Sequence, residues 1–185
     1  MLRALFGKPR WEKPAQALYT AIIEQSRQPA FYQQWEVADT LDGRFDLLTL
    51  HAILVMHRLK DQGDAAKALS QALFDLMFAD LDQNLREMGV TDFAVAPRIK
   101  KMVMAFYGRL RSYGDALDQP LAAGAVDPLI DGLARNLYRS DGAAVAAPIV
   151  AGLAAYVRGQ AAALTAQPLA DLLKGQVRFG EVPSP

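Results

Sequence analysis

Asp42-Gly-Arg-Phe-Asp-Leu-Leu-Thr-Leu-His-Ala-Ile-Leu-Val-Met-His-Arg-Leu-Lys-Asp-Gln62 is the stretch that decides the fold. Asp42 supplies an N-cap, and nothing breaks a helix before Gly63. On a helical wheel Phe45, Leu47, Leu48, Leu50, Ile53, Leu54, Val55, Met56 and Leu59 leave almost no polar face. A helix that is apolar all round must be buried by neighbours on several sides. The expected architecture is therefore all-α: a single-domain bundle of about six to eight helices around this central helix, residues 42–62.

Working outward, Gly63-Asp64 reopens a helix that runs to Met88 and stops at Gly89. Its apolar arc holds Leu69, Leu73, Leu76, Met77, Phe78, Leu81 and Leu85. Residues 89–96 read as a loop, and Pro97 starts a helix that extends to about Tyr113 with Ile99, Met102, Val103, Phe106 and Leu110 at helical spacing. Upstream, a helix runs from Pro14 to Arg27 and stops at Gln28-Pro29, followed by the aromatic connection Phe31–Trp35. Beyond Gly114 the spacing predicts helices near 115–139, 143–166 and 168–174. The organisation is a basic N-terminal segment (1–13), a helical domain (14–179) and a flexible tail (180–185).

Composition agrees. Of 185 residues 52% are apolar, and 32 are Ala and 25 Leu, the side chains that lose least on entering a helix. A chain of this size buries roughly 70% of its accessible surface on folding, so it needs no staple. The absence of Cys removes disulfides, thiolate nucleophiles and Cys-based metal sites. The start, Met1-Leu-Arg-Ala-Leu-Phe-Gly-Lys-Pro-Arg10, has too short an apolar stretch for a secretory signal; Leu2, Leu5 and Phe6 with Arg3, Lys8 and Arg10 would adhere only weakly to an anionic membrane. The longest uncharged run, Gly142–Val157, is Ala-rich and interrupted by Pro148 and Gly152, and reads as a packed helix rather than a bilayer span.

Catalytic signatures are missing. The sequence holds no Gly-rich phosphate loop, HExxH or GxSxG motif. His51 and His57 point about 120° apart on one helix and cannot share a metal. No enzyme activity, metal, cofactor or small-molecule substrate is expected. Net charge is zero, which argues against DNA, but the zero is an average: residues 1–13 carry +3, 36–92 carry −6, 98–111 carry +5 and 115–185 carry −2.

Two groups of residues stand out. On the basic helix, Lys100, Met104, Tyr107 and Arg111 fall within about 60° of one another, with Lys101 beside them. They read either as a docking face, where Met and Tyr give adaptable contact area between cations, or as a solvated face paired with the acidic helix before it. Ribosomal RNA or an anionic lipid surface would suit the same cations, which makes a ribosome-docking adaptor the alternative function. On the central helix Arg44, His51 and Arg58 form a heptad-spaced stripe, and Asp80, Asn84 and Glu87 lie at the edge of the next helix's apolar arc. A structural polar network between these two sets is the favoured reading. An enzymatic pocket for a small anion is the other.

Three blocks go beyond composition: Asp39-Thr-Leu-Asp-Gly-Arg-Phe-Asp-Leu-Leu-Thr-Leu-His51, Ala72-Leu-Phe-Asp-Leu-Met-Phe-Ala-Asp-Leu-Asp-Gln-Asn-Leu-Arg-Glu-Met-Gly89, and Pro97-Arg-Ile-Lys-Lys-Met-Val-Met-Ala-Phe-Tyr-Gly-Arg109. In that order they closely resemble the ubiquinol–cytochrome c chaperone family over residues 15–113. The short, Ala-rich chain looks like the α-proteobacterial versions that lack the eukaryotic targeting extension. The resemblance implies a non-enzymatic, all-helical assembly factor for the cytochrome bc complex. Such a factor binds newly synthesised cytochrome b and holds it for haem insertion, and it is cytoplasmic and peripheral to the inner membrane.

Overall fold

A computed structural model describes residues 9–139 and 147–185, and all regular structure among them is helical. A 3-10 turn, Pro9–Trp11, leads into α1 (Glu12–Ser26) and α2 (Pro29–Gln33). These are followed by α3 (Leu41–Leu59), α4 (Asp64–Glu87), α5 (Asp92–Asp118), α6 (Pro128–Asn136), α7 (Ala147–Ala166) and α8 (Leu169–Leu172).

The central helix is α3, and every residue from Phe45 to Met56 is buried. Burial of Leu47, Leu50, Ile53 and Leu54 contributes roughly 2 kcal/mol apiece. Its N-cap is Thr40, not Asp42: the Thr40 hydroxyl accepts from the Gly43 N–H at 3.1 Å. Gly43 is required there by space, because a Cβ would lie 2.0 Å from the Ala38 carbonyl oxygen. Around α3 the helices touch in the order α1, α4, α5, α6, α7. Between α7 and α1 the ring is closed by α2, Trp35 and the extended segment 177–183.

The structure corrects several expected boundaries. α5 begins at Asp92, a full turn and more before Pro97. The Ala94 and Val95 N–H groups already bond to the Thr91 carbonyl, and Pro97 merely leaves the Phe93 carbonyl without its helical donor. The helix also continues through Gly114 to Asp118, so the expected 115–139 helix reduces to α6 after a non-helical 119–127. The expected 143–166 helix is described from Ala147; residues 140–146, like residues 1–8 with the proposed membrane-adhesive start, lie outside the described residues.

The expected flexible tail, 180–185, makes contacts of its own. Its residues 180–183 are held against the body: Trp35 donates from Nε1 to the Pro183 carbonyl at 2.8 Å, and Val182 packs on the core. The main-chain part of this anchorage leaves no mark in the sequence, and the three apolar side chains that accompany it, Val177, Phe179 and Val182, follow neither helical spacing nor strict alternation. α7 is long and apolar enough to cross a membrane. Here it packs on α3 and α6, with Val150, Leu153, Tyr156, Val157 and Leu164 buried.

Candidate binding face

The two faces of α5 carry different chemistry. Inward, Phe106 and Tyr113 are buried, and Arg109 joins them. Arg109 donates from Nη2 to Asp46 on α3 at 2.6 Å and to the Asn136 carbonyl at the end of α6 at 3.2 Å, with its guanidinium 5.7 Å above the Phe45 ring. The Asp46 side chain is 1% exposed and that of Arg109 10%. Asp46 also accepts from Arg139 at 3.1 Å, and Arg139 reaches Asp42. Burial raises the Asp46 carboxyl above its ordinary value, against the pull of Arg109 and Arg139. This cluster ties together Asp46 of the first motif block and Arg109 of the third. Arg109 is thus structural, although the sequence reading counted it among the cations of a basic element.

Outward, Lys100, Lys101, Met104, Tyr107 and Arg111 are all exposed on one side of α5, as the spacing predicts. Four large apolar side chains stand in solvent along this helix and the turn before it: Met88 at 60%, Phe93 at 95%, Met104 at 66% and Tyr107 at 52%. Arg98, Lys100, Lys101 and Arg111 form no ion pair among the described residues. The acidic residues of α4 do not neutralise them: Asp82 pairs with Arg86, Glu87 accepts from Gln83 and Asp80 accepts from Tyr19.

Tyr107 also forms part of a cleft of about 810 Å³ between α4, α5 and the end of α3, walled by Met56, Phe74, Phe106 and Leu110. Phe74, Phe78, Phe106 and Tyr107 pack ring on ring, with centroids 4.6–5.9 Å apart. Lys60, Asp61, Asp64 and Lys67 rim the opening. A second hollow of about 520 Å³ at the other end of α5 is lined by Leu41, Phe45, Leu85, Arg98, Lys101 and Met102. The face therefore runs from one hollow to the other.

The expected network between the α3 stripe and α4 does not form. Arg44 is exposed and pairs with Asp39 at 2.7 Å. Arg58 bonds the Leu164 and Gln167 carbonyls and so caps the end of α7. His51 is fully buried; its Nδ1 donates to the Leu47 carbonyl at 2.8 Å, and its Nε2 accepts from the Tyr156 hydroxyl at 2.9 Å. Burial drives its pKa down to about 4. Asn84 donates to Asp80 within α4. The heptad stripe on α3 faces α7 and the 34–40 connection rather than α4, which wheel angles alone do not distinguish. The six side chains do not converge on a pocket, and among the described residues no group of His, Asp and Glu is placed to hold a metal.

The sequence reading also missed the Arg158–Asp127 pair. Asp127 caps α6 through the Leu129 N–H, while Arg158 binds Asp127 and the Ala116 carbonyl at the end of α5. Burial works to raise the Asp127 carboxyl, but Arg158 and the Leu129 N–H hold it below the ordinary value. Its one sequence signal was an Asp immediately before Pro128 at a helix start.

The outward side of α5 thus sets exposed apolar and cationic side chains together on a helical scaffold. The family model of the ubiquinol–cytochrome c chaperones matches residues 33–179, and the chain belongs to that family. It is 26% identical over 121 residues to ubiquinol–cytochrome c reductase complex assembly factor 1 of Mus musculus, covering 64% of this chain and 41% of that one. The Xenopus laevis counterpart is equally identical over the same length and is covered to 60%. The chain thus spans less than two thirds of the length of these relatives. It is also similar to the crystal structure of the Cbp3 homolog from Brucella abortus, with a TM-score of 0.79 and 34% identity over 93% of this chain and 91% of that one. The family resemblance carried by the three motif blocks is confirmed, and the match extends beyond them through α6 and α7.

Proposed function

We propose that this protein is an assembly chaperone of the ubiquinol–cytochrome c reductase complex that binds newly synthesised cytochrome b through the exposed face of α5. The observation that carries the reading is the line of Met104 and Tyr107 between Lys100, Lys101 and Arg111, which form no ion pair among the described residues, in a family whose relatives are named as assembly factors of this complex. A client rich in membrane-spanning helices offers apolar side chains and, where its loops carry acids, a match for the lysines. Thioether and phenol side chains adapt to such a surface while it is still folding. The protein acts by holding, not by catalysis, and works at the membrane surface from the cytoplasmic side. Deletion of the gene should deplete assembled cytochrome bc complex and cytochrome b, read by difference spectra and native gels. Normal levels of both would defeat the reading.

The same exposed cations also favour a second reading, docking to ribosomal RNA during synthesis of the client, with the strong salt dependence of phosphate contacts.

A further inference from the structure

The segment 177–183 is held in an unusual manner. Gln167, one residue past the end of α7, grips both main-chain groups of Arg178: its Nε2 donates to the Arg178 carbonyl at 2.7 Å and its Oε1 accepts from the Arg178 N–H at 2.9 Å. Two residues on, Gln25 on α1 donates to the Gly180 carbonyl at 2.9 Å, while Gln160 on α7 accepts from the Gly180 N–H at 2.8 Å. Trp35 completes the set at the Pro183 carbonyl. Every one of these bonds goes to the backbone of the segment and none to its side chains. The alternation of bonded residues, 178 and 180, is that of an extended strand. In the other direction Val177, Phe179 and Val182 pack on the core, and Phe179 meets His51 edge-on at 5.5 Å. Arg178 and Glu181 are exposed. Gly175, at φ +85° and with Pro14 and Ala17 only 2.8 Å from where a Cβ would stand, launches the segment across α1.

A wall of glutamines and an indole that satisfies main-chain groups, with apolar seats for alternate side chains, is the arrangement by which grooves bind extended polypeptide of loosely defined sequence. The groove lies where the ring of helices around α3 is open, between α7 and α1, on a different side of the molecule from the outward face of α5. His51 belongs to its floor: Gln25 donates to the Tyr156 hydroxyl, which in turn donates to His51.

We infer that the groove between α1 and α7 is a second polypeptide-binding site, that its ligand is an extended segment with apolar side chains in the pattern Val-x-Phe-x-x-Val, and that residues 177–183 are its displaceable intramolecular occupant. The inference rests on the proposed chaperone function only for the idea that the incoming segment belongs to an incompletely folded client. Occupation in cis keeps the apolar seats covered until a segment in trans competes.

The test uses the full chain with Phe179→Asp and Val182→Asp, which unseat the segment and leave every wall residue in place. Binding of a fluorescein-labelled peptide, Gln176–Pro185, is read by anisotropy. The variant should bind it, and the wild-type chain should bind at least about tenfold more weakly, because its own segment is open only a fraction of the time. N-methylation of Gly180 in the peptide should abolish binding, whereas Arg178→Ala or Glu181→Ala in the peptide should leave it unchanged. A folded variant that binds no peptide, or wild type and variant binding equally, overturns the inference. Should the variant fail to fold, hydrogen exchange on the wild-type chain decides: the Arg178 and Gly180 amides are expected to exchange well before those of α3, and exchange only together with α3 overturns it. None of these readouts involves cytochrome b, so their failure leaves the proposed function standing.

Discussion

α5 carries two sets of cations that look alike in sequence and behave differently in the structure. Arg109 is buried against Asp46, the Asn136 carbonyl and the Phe45 ring. Lys100, Lys101 and Arg111, on the opposite side, meet no carboxylate among the described residues. The first set fixes α5 to α3 and α6; the second is free to meet a partner. A charge with a buried partner is structural because its removal strands the other charge in a low-dielectric interior. Solvated lysines cost the fold little, and their clustering beside exposed Met104 and Tyr107 is the feature on which the proposed docking role rests.

This contrast can be broken most directly at Arg109. Arg109→Met leaves Asp46 with Arg139 alone and should cost about 3 kcal/mol in urea unfolding. Because burial already raises the Asp46 pKa, the fold favours its protonated form, and the deficit should shrink as pH falls into the carboxylate range. A variant as stable as wild type at neutral pH would erase the distinction between the two faces.

Near neutral pH a smaller effect is expected at His51, a buried titratable group of the opposite flank, whose contribution emerges only on acidification. Its folded pKa of about 4 lies below the unfolded value of about 6.5, so the unfolded chain binds the proton first. Stability should fall as pH drops from about 6.5 towards about 4, and His51→Gln should flatten that slope. An identical pH profile for the two proteins would show that His51 does not carry it.

Least of all should happen to stability when Lys100→Glu, Lys101→Glu and Arg111→Glu are combined. The melting temperature should stay at the wild-type value while ribosome co-sedimentation at low salt is lost. If wild type itself never co-sediments at low salt, the ribosomal reading fails and the cytochrome b reading is untouched.

The central helix was legible because burial on all sides writes an unbroken apolar pattern, and the α5 face because exposed residues repeat at helical spacing. Arg109 was legible in part: it sits three residues after Phe106 and four before Tyr113, inside the apolar stripe, where a solvated arginine has no place. Asp46 gave the same signal on α3. The partners of Arg44, Arg58 and His51 were not legible, since a stripe on one helix does not say which neighbour it faces. Least visible was the docking of residues 177–183: its hydrogen bonds go to main-chain atoms that every sequence possesses, and its apolar side chains Val177, Phe179 and Val182 are too few to mark an element.

The central claim is that the outward face of α5 touches the client. A photo-crosslinking residue placed at Met104 or Tyr107, with exposed Thr20 on α1 as control, tests it in membranes making cytochrome b. The account expects a cytochrome b adduct from positions 104 and 107 and none from position 20. No adduct from α5, or adducts of equal yield from all three positions, would contradict it.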